Sequence, residues 1–236
     1  MSWYNPKPPD LPLRLPRQYP RKVIPSCIGK NGLVLDMLFH HGTGDIVKDY
    51  SPYGNHGTIH GARWIDGWWG WALEFDGVDD AVGLPYHSVF TSVGDFTVEA
   101  LITPREPSAI AWRSIVAFGG AGDEFLFGFH FGKVAFFSND LSPSYQEGVT
   151  TLSDNILYFI AFVRSGADYY IYLNGDIDKQ GTWDSTTIVL DSGNRAIGRD
   201  EPTSGSEIYK GTIHFLRIYN RALSQREIRA HANYLL

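Results

Sequence analysis

The stretch Lys48–Leu84, KDYSPYGNHGTIHGARWIDGWWGWALEFDGVDDAVGL, decides the fold. It opens on Asp49, Ser51, Pro52, Gly54, Asn55 and Gly57. Each of these residue types suits a tight turn, by fixing φ, by tolerating positive φ or by hydrogen-bonding its own backbone. Trp64, Trp68, Trp69 and Trp71 follow, and the stretch closes on two apolar runs, WALEF and DAVGL, with a turn between them. Short apolar runs broken by turn residues are the pattern of antiparallel β-structure.

The rest of the chain repeats that pattern. Leu33–Phe39 reads as a first strand. Asp95–Thr103 (DFTVEALIT) alternates with period two, placing Phe96, Val98, Ala100 and Ile102 on one face and Thr97, Glu99 and Leu101 on the other. Arg113–Phe118, Glu124–Phe131 and Lys133–Ser138 come next, then Leu157–Arg164 and Asp168–Leu173. Asn174-Gly175 is a hairpin signal, because a type I′ turn needs positive φ at both central residues. Thr187–Leu190, Ala196–Arg199 and Thr212–Tyr219 bring the expectation to about a dozen strands in an antiparallel sandwich. One helix is expected, at the C-terminus. Ser224 to Glu227 is a capping box, and Ile228, Ala232 and Leu235 then share one face.

These residues carry a family resemblance. The order D-x-S, G-N-H-G-T, G-A-x-W, A-L-x-F-D-G-x-D-D-x-V resembles the opening of laminin-G-like jelly rolls, in the concanavalin A-like sandwich group. Tyr169–Gly175 (YYIYLNG) and Gly211–Glu227 (GTIHFLRIYNRALSQRE) fit the same pattern, so the resemblance covers residues 33–236. It implies an all-β, antiparallel jelly-roll β-sandwich with a short C-terminal helix. It does not choose a function, since such domains serve as lectins, enzyme appendages, adhesion modules and virion parts.

Residues 1–32 are different. Seven of the 13 prolines lie there, and six basic residues face one acid, a balance of +5. Proline fixes φ and removes a backbone donor, so an extended arm with polyproline II character is expected ahead of the sandwich domain of 33–236. Trp3, Tyr4, Arg14, Arg17, Arg21 and Lys22 are its candidate contacts to neighbouring subunits. The whole chain carries −6, so no nucleic-acid partner is expected of it. The lone cysteine, Cys27, excludes an internal disulfide framework. MSWYNPKPPD lacks the apolar core of a secretory signal, and no run reaches the roughly 18 apolar residues of a membrane span.

Catalysis is not expected. Glycanases of the sandwich group carry two or three acids at alternate positions of one strand, so that one carboxyl protonates the leaving oxygen while another attacks or activates water. Here Glu99 stands alone between Thr97 and Leu101 and reads as structural. Gly119-Gly120-Ala121-Gly122 has no following Lys-Ser/Thr and reads as a turn, not a phosphate cradle. His56 and His60 lack a third nearby ligand for zinc. Asp49, Asn55, Asp79 and Asp80 offer the hard oxygens calcium prefers, and the resemblance implies a calcium near the opening loop. The same acids also suit turn capping. The resemblance departs at His214 and Phe215, where relatives usually carry an acidic pair.

The aromatic residues are the remaining signal. Trp68, Trp69, Trp71, Trp112 and Trp183 are candidate glycan- or partner-binding rings, because flat apolar surface stacks on sugar faces and anchors interfaces. The other reading is that they pack the core, which parity with Leu73 and Phe75 supports for Trp71. Two functions are therefore carried forward. One is a non-catalytic structural protein of an assembled particle, a virion coat, decoration or tail component, with the arm gripping neighbouring subunits. The other is a carbohydrate-binding module or lectin, calcium-assisted if the acids hold the ion. Both place the chain on a virion or extracellular surface, without a secretory signal.

Overall fold

The computed structural model describes residues 29–68, 70–90, 92–108, 112–120, 123–140, 142–183, 188–189, 193, 195–200 and 207–236. The arm expected over 1–32 therefore lies outside the described residues except at 29–32. The strands are β1 (Leu33–Leu38), β2 (Ile46–Val47), β3 (Gly57–His60), β4 (Arg63–Gly67), β5 (Gly70–Asp76) and β6 (Ala81–Gly83). They continue as β7 (Ser92–Val93), β8 (Phe96–Pro104), β9 (Trp112–Gly120), β10 (Asp123–His130), β11 (Lys133–Ser138) and β12 (Tyr145–Thr151). The last are β13 (Tyr158–Ser165), β14 (Asp168–Leu173), β15 (Asp176–Thr182), β16 (Ile188–Val189), β17 (Arg195–Ile197) and β18 (Lys210–Tyr219), followed by the helix α1 (Gln225–Leu235).

Two eight-stranded antiparallel sheets form a sandwich. The first runs β15-β14-β13-β8-β18-β5-β4, with β1 paired to the second half of β18. The second runs β12-β11-β10-β9-β17-β6-β3-β2, and β7 and β16 make a separate ribbon. The alternation expected in β8 holds. Phe96, Val98, Ala100 and Ile102 enter the core between the sheets, while Leu101 joins a second cluster beneath α1. The first sheet is thus apolar on both faces, and α1 is what covers its outer one.

The turn chemistry also follows the sequence. Asn174 and Gly175 have φ of 53° and 91°, the left-handed pair of the expected hairpin between β14 and β15. Ser224 caps α1 by accepting from the Glu227 backbone, and Ile228, Ala232 and Leu235 are buried. The expectation of about a dozen strands is short by β2, β3, β4, β7, β12 and β15. Four of these, β2, β4, β12 and β15, are the edges of the two large sheets, and their exposed positions mix polar residues with Ile46, Tyr145, Val149 and Ile177. An edge strand buries too little to show an apolar period.

Candidate functional site

The candidate site lies on the outer face of the second sheet. On β10 and β11 the residues Phe125, Phe127, Phe129, Val134 and Phe136 point into the core, so their alternates point outward. Gly128 and Ala135 are paired across that outer face, and both are buried beneath the larger side chains around them. A side chain at Gly128 would place its Cβ 2.0 Å from the Arg113 carbonyl oxygen, at the bulge between β9 and β10. Half-buried Trp112 meets His130 at 4.7 Å between ring centres, Tyr145 at 5.8 Å edge-on and Phe137 at 5.9 Å edge-on. Tyr145 is 41% exposed and Phe131, beside His130, 56%.

A charged group adjoins the rings. Glu147 of β12 accepts from His130 Nδ1 at 2.6 Å and from Lys133 Nζ at 3.0 Å. Burial alone would raise the Glu147 pKa, but the hydrogen bonds from His130 and Lys133 and their positive charge hold it below the usual carboxylate range. The result is flat apolar rings next to a fixed carboxylate, imidazole and ammonium. Such a surface suits a ligand with one apolar face and a hydroxylated edge. Of this group the sequence singled out only Trp112. His130, Tyr145 and Glu147 come from other strands and Phe131 from the β10–β11 turn, and only the register of β9 to β12 brings them together.

The other tryptophans separate. Trp68 is 69% exposed at the β4–β5 turn, and Trp69 lies outside the described residues. Trp71 is half-buried and closes over Gly42, whose φ is +75°; a Cβ there would lie 2.2 Å from the indole. Trp64 packs against the core and donates its Nε1–H to the Gly44 carbonyl at 2.8 Å. Trp183 corrects the expectation of a binding ring. It is 2% exposed and wedged among Tyr169, Phe136 and Phe162, with centres 4.8, 5.5 and 5.5 Å away, so no ligand reaches it.

The four expected calcium ligands do not form one group. Asp49 accepts backbone N–H from Asp36, Ser51 and Asn55 at 2.8, 2.8 and 2.7 Å and the Ser51 hydroxyl at 2.6 Å. Asn55 is 2% exposed and donates to the Val34 carbonyl. Both anchor the opening loop to β1, and donors occupy both carboxylate oxygens of Asp49. Asp79 and Asp80 instead join Asp76 at the β5–β6 turn, with one oxygen of each within 4.8 Å of the others. Asp80 is raised in pKa by burial and by the charges of Asp76 and Asp79. This trio has hard-oxygen chemistry, and Asp49 and Asn55 are not part of it. His214 is elsewhere, bonded to the Thr103 hydroxyl at 3.1 Å, and burial lowers its pKa to about 4.

Glu99 is fully buried on the opposite side of the sandwich, beneath α1. It pairs with His231 Nδ1 at 2.8 Å and Arg217 Nη1 at 3.5 Å, while Arg217 Nε donates to Asp36 at 2.7 Å. No substrate approaches a carboxylate enclosed in this way.

The comparisons agree with this architecture. A family model described as the concanavalin A-like lectin/glucanases superfamily matches residues 76–229, and the chain belongs to that family. No curated protein sequence matches the chain. Among solved structures it is similar to domain 4 of a GH43 extracellular arabinanase from Geobacillus stearothermophilus, crystallised with arabinotriose. The TM-score is 0.68 at 19% identity, over 85% of this chain and 98% of that one. It is also similar to the binding domain of Paraclostridial Mosquitocidal Protein 1, with TM-score 0.70, 16% identity and 87% of this chain covered. The receptor binding domain of botulinum neurotoxin D gives TM-score 0.65, 13% identity and 86% coverage. The chain spans about half of these two toxin binding domains, 53% of each. At such identities the likeness is one of fold.

Proposed function

We propose that the sandwich is a non-catalytic carbohydrate-binding module whose ligand lies on the outer face of the second sheet, against Trp112 and Tyr145. The observation that carries this reading is the aromatic platform with Glu147, His130 and Lys133 fixed beside it. Two comparisons support it: the family is one of lectins and glucanases, and the arabinanase domain was solved with a bound oligosaccharide. Rings would stack on the apolar face of a sugar while Glu147 and His130 meet its hydroxyls. A panel of plant, bacterial and animal oligosaccharides tests it, with wild type beside Trp112→Ala and Tyr145→Ala. Binding by wild type that both variants weaken supports the reading. Wild-type silence across the panel, or binding unchanged in both variants, overturns it.

A second reading keeps the chain in an assembled particle such as a virion, with residues 1–32 gripping a neighbouring subunit. It rests on the proline-rich, basic composition of that arm. The native mass of the full chain beside a form starting at Leu33 decides it, because only an assembly strap makes the two differ in oligomeric state.

A further inference from the structure

The turn between β10 and β11 carries a residue that its own backbone disfavours. Phe131 and Gly132 have φ of 45° and 80°, the left-handed pair of a type I′ turn. The β14–β15 hairpin fills the same two positions with Asn174 and Gly175. The other non-glycines with positive φ among the described residues are Glu106, Asn155 and Asn174, and none is bulky and apolar. Asparagine enters this region readily because its short side chain bonds the local backbone, whereas a bulky residue is strained there. Packing does not offset that strain. The Phe131 ring is 56% exposed and belongs to neither apolar cluster of the sandwich.

The backbone beneath the ring is held from two sides. The Gly132 carbonyl accepts the Leu152 N–H at 2.8 Å, and a Cβ on Gly132 would lie 2.2 Å from Ser108 Oγ. An exposed apolar residue alone needs no explanation, but one kept exposed in a strained, supported turn points to a contact. Its neighbours identify that contact. Phe131 lies 4.8 Å from His130 between ring centres, and His130 lies 4.7 Å from Trp112 and 4.9 Å from Tyr145. His130 pairs directly with Trp112 across β9 and β10, and Phe131 follows beyond the end of the strand.

We infer that Phe131 is a second stacking position of the Trp112 platform, so that the site takes consecutive units of a linear oligosaccharide and not a single terminal sugar. This rests on the carbohydrate reading and extends it. Stacking sets one flat face on another, so rings spread along a surface take successive units of a chain. Trp112 and Tyr145 hold one unit, His130 stands beside it with Nδ1 fixed by Glu147 at 2.6 Å, and Phe131 holds a unit further along.

The test is a glycan array presenting each oligosaccharide as a series from one unit to four, probed with wild type, Phe131→Asn and Phe131→Tyr. Asparagine suits the turn, so Phe131→Asn should raise Tm by about 2–4 °C. The same variant should bind the longer members roughly fivefold more weakly, with binding of the single unit unchanged. Phe131→Tyr keeps the ring and should match wild type at every length. A merely structural ring would not move stability and affinity in opposite directions. Wild-type affinity independent of length, affinity unchanged in Phe131→Asn, or an equal loss at every length overturns this inference and leaves the Trp112 reading intact. A Tm that does not rise in Phe131→Asn shows that the ring supports its turn, and overturns it too. Wild-type silence across the whole array overturns both readings.

Discussion

The two outer faces of the sandwich are built from similar ingredients and put them to different use. On the first sheet, Glu99 meets His231 and Arg217; on the second, Glu147 meets His130 and Lys133. Glu99 is fully buried, sealed by α1 and by apolar neighbours including Leu101, Phe215 and Ile228. Glu147 retains 28% of its side-chain surface and lies on the sheet opposite the one that α1 packs against. A buried charge must keep its partners, because losing one leaves the other stranded in a low dielectric. An exposed charge is screened, and its partners add little to stability. The first group is therefore committed to holding the helix, whereas the second is free to exchange contacts with a ligand.

The largest effect that sharpens this contrast is Arg217→Met. Burial alone would lower the Arg217 pKa, but the charges of Asp36 and Glu99 raise it, which marks a guanidinium bound to both acids. Its removal should cost about 3–5 kcal/mol in urea unfolding. Lys133→Met on the other face should cost about 1 kcal/mol or less. Equal costs would break the distinction. Acid supplies a second probe. His214 titrates near pH 4 in the fold, below its ordinary 6.5, so it is held neutral. The unfolded chain takes up this proton first as pH falls. The stability His214 contributes is thus present above about pH 6.5 and is lost on descent toward pH 4. His214→Gln should flatten this part of the stability–pH curve, and an unchanged curve would show that another group governs it.

Between these and the smallest effect lies Trp112→Ala. The half-buried ring makes edge-on and tilted contacts with three others, and its loss should weaken glycan binding at least tenfold, as measured by calorimetry. If the bound ligand instead answers to Trp68, the site moves to the β4–β5 turn.

What could be read from the sequence follows the same division between covered and open surface. The parity of Phe96 to Ile102, the Asn174-Gly175 turn and the Ser224 capping box are short-range signals, and each gives its element directly. Glu99 was read as structural because it lacked a second acid, but its partners Arg217 and His231 are more than a hundred positions away and no local pattern names them. The aromatic platform was less legible still. Trp112 was visible, yet Tyr145 sits on an edge strand whose pattern is polar, and Gly128 contributes by having no side chain. Trp183 misled for the opposite reason: its loop-like neighbours suggested exposure, while the fold turns the ring under the sheet. Asp49 and Asp80 are both turn-forming acids in one stretch, yet the fold holds Asp49 against β1 and Asp80 at the β5–β6 turn.

Glu147→Gln is the smallest perturbation and the most discriminating. The amide keeps the size of the carboxylate and one acceptor oxygen, so His130 and Lys133 lose charge attraction but not all contact. Because Glu147 is a partly exposed partner, the stability cost should stay within about 1 kcal/mol. Its lowered pKa means that the stability it contributes is present above the ordinary carboxylate value of about 4.3 and lost as pH falls below it. The variant should therefore differ from wild type at pH 7 and converge with it near pH 3. Binding should respond differently: a sugar hydroxyl that donates to the carboxylate loses a charge-assisted bond, and affinity should fall several-fold at pH 7. A variant that loses stability as heavily as Arg217→Met, with binding intact, would place Glu147 with Glu99 as a structural carboxylate and leave the second face without a ligand-contacting acid.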